Sequence, residues 1–160
     1  MTASTFQSLD IAPFWSRMSD SLVRLVDYIP DDKLNWSPKP ELWNFKGILI
    51  HICGVRHGWI AGRADPGSWD AIIRDAQTKE GIKRHLASSW ETVAGFVSSP
   101  DKLAAKYDDG GSLDQYPDGG TKVTGHWIAY HLLEHDIHHR ADIFHYLALL
   151  DIETPDVGTP

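Results

Sequence analysis

The sequence predicts an all-α fold, and specifically a four-helix bundle. Three observations lead there. Apolar residues recur in steps of three and four over four stretches of bundle length, long connections join those stretches, and no segment alternates convincingly as a strand. With 160 residues the chain is most simply one domain with a core of its own. The expected division is a single domain over residues 1–152 and a loose tail over 153–160, where two prolines and a glycine gather.

In the first stretch, from about Ser8 to Ile29, the apolar positions are Phe14, Trp15, Met18, Leu22, Leu25, Val26 and Ile29. Pro13 suits a first helical turn, and Pro30-Asp31-Asp32 ends the run. Pro38 and Pro40 impose an extended segment. Asn44 can cap a second helix reaching about Ala61, and Gly62 through Pro66-Gly67 breaks it. A short helical turn is expected around Trp69–Ala76. Thr78 can cap a third helix, Lys79 to about Val97, with Ile82, Leu86, Trp90, Val93 and Phe96 as its stripe. Asp108 to Gly120 reads as a turn-rich loop, and Thr121 or Thr124 can cap the last helix, which runs to about Leu150.

Composition excludes several classes. A formal charge of -7 without a basic cluster argues against nucleic acid. The single cysteine, Cys53, rules out an internal disulfide and a multi-cysteine zinc site, and it reads as a small core residue. No apolar run approaches the ~20 residues of a membrane span, and the start lacks the pattern of a secretory signal. A cytoplasmic protein with no membrane contact is the expectation.

Chemistry concentrates in the last helix. Four of the nine histidines, His131, His135, His138 and His139, fall within nine residues. On a helical wheel they share an arc of about 120° with Asp142 and His145, while Leu132, Leu133, Ile143 and Leu147 lie outside it. Imidazoles four apart lie one above the other and can grip one ion, and His131/His135 and His135/His139 both have that spacing. A solvated face is the alternative explanation of such a stripe. His51 argues against it, because it sits in an apolar run of the second helix and Gly47, Gly54, Gly58 and Gly62 cluster within about 60° of it. That strip leaves room for a neighbouring helix, a metal or a ligand, and a third imidazole is what the His135/His139 pair lacks.

Three neutral imidazoles leave a coordination position open, as in catalytic sites. Nitrogen ligands suit zinc, nickel, copper or iron; a divalent ion, zinc or nickel first, is expected. The segment from His135 to His139 is a poor zincin, since Asp136 stands where that motif has Glu. A di-iron bundle is dropped, because no Glu-x-x-His occurs. His131 becomes a pocket candidate. Arg140 and Asp136 are either partners of the site or a solvated edge. His138 reads as a bystander, and His57, His85 and His126 as surface residues.

The segment His131-x3-His135-x2-His138-His139-Arg140 and the early segment Ile29-Pro30 to Trp43-Asn44, followed by the helix of His51, resemble the DinB/YfiT-like family. The resemblance covers both ends of the chain; from about Arg63 to Gly120 only the helix placement matches. It implies an up-down-down-up bundle, often a homodimer, with one metal on His51, His135 and His139. It further implies a metal-dependent hydrolase or thiol S-transferase, in which water or a low-molecular-weight thiol attacks a small electrophile. A non-catalytic metal- or ligand-binding stress protein is the alternative. Ala141-Asp142 departs from the family's Gly-Gln, so Asp142 is a candidate to orient a ligand or join the site.

Overall fold

The computed structural model describes residues 11–61, 66–108 and 122–154. Four long helices dominate: α1 (Ala12–Tyr28), α2 (Phe45–Ala61), α4 (Lys79–Val97) and α6 (Gly125–Leu149). Two shorter ones are α3 (Pro66–Asp75) and α5 (Pro100–Ala104). The chain is thus all-α, as the periodicity predicts. The expected tail from residue 155 on, Gly62, Thr121 and most of the expected turn-rich loop lie outside the described residues.

The helix starts follow from local chemistry. Asn44 Oδ1 accepts from Gly47 N at 2.7 Å, Thr78 Oγ1 from Gly81 N at 3.2 Å, and Thr124 Oγ1 from Trp127 N at 3.2 Å. Each satisfies an amide that the first turn leaves without a partner. Two features depart from the expectation. Ser99 caps the five-residue α5, and β1 (Lys106–Asp108) pairs antiparallel with β2 (Lys122–Thr124), with Tyr107 opposite Val123. Three-residue strands are too short to show alternation. Ahead of the proline segment, Asp31–Lys33 forms a single 3-10 turn.

The core has two apolar clusters. One gathers Leu22, Leu25, Phe45, Leu49, Leu86 and Leu147; the other gathers Trp15, Met18, Val93, Phe96, Ile128 and Leu132. Helices α1 and α6 pass from the second cluster to the first, and α2 and α4 pass the other way. Between the clusters lies a polar waist. Arg56 of α2 is 0% exposed and Asp136 of α6 is 1% exposed.

Arg56 Nη2 donates to Asp136 Oδ2 at 2.7 Å, and its Nε reaches both carboxylate oxygens at 3.2 and 3.1 Å. Its Nη1 donates to Leu86 O (3.3 Å) and Ser89 Oγ (3.2 Å) on α4, while Trp15 Nε1 of α1 donates to Asp136 Oδ2 at 2.7 Å. All four long helices therefore meet at one ion pair. Burial alone would push the Asp136 carboxyl up, but the Arg56 charge together with side-chain hydrogen bonds, those of Arg56 and Trp15 among them, holds the group below its ordinary value. Asp136 is thus no solvated edge; it is the buried counter-ion of α2.

Removing one partner strands the other charge in a dry interior. Asp136→Asn is expected to lower the unfolding free energy by about 3–5 kcal/mol, read from urea denaturation. The double change Arg56→Met with Asp136→Leu should recover most of that loss. A single variant as stable as the wild type would show that the waist contributes nothing to the fold.

Candidate metal centre

Helix α2 presents His51, and two successive turns of α6 present His135 and His139. One ring nitrogen from each lies within 4.8 Å of the other two. His51 Nε2 and His135 Nε2 are 2.9 Å apart. The ring centroids of His139 stand 5.0 Å from those of His51 and 4.5 Å from those of His135. The three imidazoles named by spacing are therefore brought together, half-buried, on one point between α2 and α6.

Carboxylates stand behind His139 and His135, and Trp43 flanks His51 and His139. His139 Nδ1 is 3.1 Å from Asp142 Oδ2, which leaves Nε2 as the nitrogen available to a metal. His135 Nδ1 is buried without a hydrogen-bond partner, 4.0 Å from Asp136 Oδ1. Trp43 meets His51 edge-on, with centroids 4.3 Å apart, and stacks on His139 at 6.0 Å and 19°. A carboxylate behind a histidine fixes the ring and raises its basicity, the arrangement common behind metal-bound imidazoles.

Two nitrogens 2.9 Å apart stand within a few tenths of an ångström of the separation of about 3.3 Å expected for nitrogen ligands of one tetrahedral ion. The residues present therefore suit a divalent cation. Burial, then the neighbouring His135 and His139, depresses the His51 pKa to about 4. Burial also lowers His139, against the opposing pull of Asp142. Both rings favour the neutral form, which is the form that binds a metal.

The remaining candidates divide. His131 is not in the triad; it stacks on Trp127 (5.0 Å, 11°) and meets Trp59 edge-on at 5.1 Å, with the His135 centroid 6.3 Å away. Burial lowers its pKa. Arg140 extends over the Phe144 ring, 5.5 Å from the centroid, and its Nε is buried and unpartnered. Among the described residues no hydrogen bond or ion pair joins it to the three imidazoles. His138 is 69% exposed, with Nε2 3.6 Å from Asp142 Oδ2. Burial pushes the Cys53 thiol up to about 12, so it is neither a nucleophile nor a ligand near neutral pH.

The glycine strip proves to have a specific tenant. A Cβ on Gly54 would stand 2.2 Å from the Trp69 ring, so the missing side chain is what admits Trp69 of α3. Beside His51 opens a pocket of about 380 Å³ lined in part by Trp43 and Trp69. The glycine strip around His51 hinted at such a space, but not at the residues that line it.

The fold and the imidazole cluster define a helical protein with a potential three-histidine metal site. A sequence model of the DinB family matches residues 1–157, and the chain belongs to that family. Its fold matches the crystal structure of a DinB-like protein, YjoA, from Bacillus subtilis, with a TM-score of 0.65 and 17% identity. The match covers 93% of this chain and 97% of that one. No protein of curated function matches it. Among the described residues no helix is long and apolar enough to cross a membrane.

The depressed His51 pKa makes the metal-free fold sensitive to acid. Below about 6.5 the unfolded chain takes up a proton that folded His51 refuses until about 4. Stability contributed by this group is therefore present above 6.5 and falls as pH drops toward 4. Urea midpoints of metal-free protein should decline over that window, and less steeply in His51→Gln. Equal slopes for the two proteins would refute the assignment.

Proposed function

We propose that the protein is a metal-dependent enzyme, a hydrolase or thiol S-transferase, that directs water or a low-molecular-weight thiol at a small electrophile. His51, His135 and His139 hold the divalent ion, zinc or nickel. The observation that carries this reading is the convergence of three imidazoles beside an open pocket, with no fourth ligand in the group among the described residues. Such an ion would lower the pKa of a water or thiol bound to it and so supply a nucleophile near neutral pH.

The chain's own residues do the rest. Asp142 orients the His139 ring through Nδ1, 3.1 Å away. Asp136, fixed by Arg56, stands 4.0 Å from His135 Nδ1 and biases its proton to that nitrogen. His131, between Trp59 and Trp127 and favouring its neutral form, stands one turn from His135, and in this reading it would accept the proton that the nucleophile loses. The pocket reaching His51 favours this reading over a non-catalytic metal-binding protein, which would need the ion closed off. A homodimer is the assembly that the family resemblance suggests, and the cytoplasm is the setting expected from the sequence.

Calorimetric titration with zinc or nickel should show one ion per chain. His51→Ala, His135→Ala and His139→Ala should each abolish it, while His138→Ala should retain it. Asp142→Asn is expected to weaken affinity about 10–100-fold. Unchanged binding by any of the three alanine variants would remove that residue from the ligand set.

Loaded protein should turn over at least one pairing from a panel of thiols with small electrophiles, or an ester or amide. His131→Ala should lower kcat by about 100-fold or more while leaving ion binding intact. Full ion occupancy with no turnover across the panel would sink the catalytic reading and leave the non-catalytic one.

A further inference from the structure

We infer that the pocket beside His51 selects a neutral, flat, apolar substrate group, an aromatic ring held between Trp43 and Trp69, over a charged one. This rests on the enzymatic reading above and names the substrate class of the same site. The pocket, about 380 Å³, lies at the small end of the ~300–1,000 Å³ range of ligand sites. Its walls are Leu42, Trp43, Ile50 and Trp69, and among the described residues no charged side chain lines it.

Both indoles are fixed before a ligand arrives. Trp43 is pinned against His51 and His139, yet 50% of it remains exposed, and Leu42 beside it is 46% exposed. Trp69 lies against Gly54, and its Nε1 is 3.8 Å from where a Gly58 Cβ would be. Indole faces held in this way offer stacking at little entropic cost.

Two further residues shape the recognition. Gly47 lines the pocket without a side chain. Asn44 Oδ1 is committed to the helix cap, so the side-chain group that Asn44 can offer a ligand is its NH2, a donor. The pocket thus matches a ring carrying one hydrogen-bond acceptor. An anionic group set against the Trp43 and Trp69 walls, away from an ion at His51, would lose water without meeting a charged side chain among the described residues.

The test uses 2-naphthol as the neutral probe and 2-naphthalenesulfonate as the charged one, against zinc-loaded full-length protein. Binding is followed by the indole N–H signals of Trp43 and Trp69 in two-dimensional NMR. Naphthol should bind saturably, perturb both indoles, and bind about tenfold or more tightly than the sulfonate. Trp43→Ala should weaken it about tenfold. Leu42→Glu, a change at an exposed position, should weaken both probes, the sulfonate most, at unchanged zinc content.

Equal affinity for the two probes, or binding that leaves both indoles unperturbed, would overturn the inference. So would a wild-type protein that fails to bind naphthol because a second copy covers Trp43, seen as a dimer that Leu42→Glu dissociates. Naphthol binding without turnover of any panel substrate would instead fault the enzymatic reading and leave the pocket standing. Turnover without probe selectivity would do the reverse.

Discussion

The buried pair Arg56–Asp136 is the constraint on which the rest of this structure depends. An isolated charge in a dry core is intolerable, so each residue fixes the other. The guanidinium has donors in several directions and the carboxylate has acceptors for them, so one pair engages α2, α4, α6 and the indole of α1. Apolar packing alone tolerates sliding of one helix along another. A directional network at the waist of the bundle does not.

That constraint sets the chemistry because of where its members sit. Arg56 lies little more than one turn after His51, and Asp136 is the neighbour of His135. Locking Arg56 to Asp136 fixes the axial register of α2 against α6. The same register brings His51 Nε2 to 2.9 Å from His135 Nε2. His139 and Asp142 then follow from helix geometry, one turn and almost two turns beyond His135. The imidazoles are half-buried and the pair behind them is fully buried, so a rigid base carries an accessible face.

Much of this was legible in the sequence where the determinants are local. Helix α4 stands at the limits that Thr78 and its apolar stripe predict, and the caps at Asn44 and Thr124 depend on residues three positions away. The imidazole triad was legible because four-residue spacing fixes a shared face and His51 stood out in an apolar run. The waist was not. Arg56 was visible as a cation among aliphatic residues, but its partner is 80 positions away, and periodicity says nothing about which residues oppose each other across helices. For the same reason Asp136 could be read only as a partner of the site or a solvated edge. The β1–β2 pairing and the Trp43–Trp69 pocket also depend on contacts between distant segments, and short elements leave too few residues to show a period.

Gly54 gives the site an unusual point of leverage. Its missing side chain is what lets the Trp69 ring settle against α2. Even one added methyl group there would push the indole outward and redraw the wall of the pocket, while His51, one turn earlier on the same helix, could keep its place. The breadth of molecules such a scaffold accepts can therefore be retuned from beneath, by a residue behind the pocket wall. Divergence in what related chains recognise could be written in helix-packing positions as readily as in those facing the cavity.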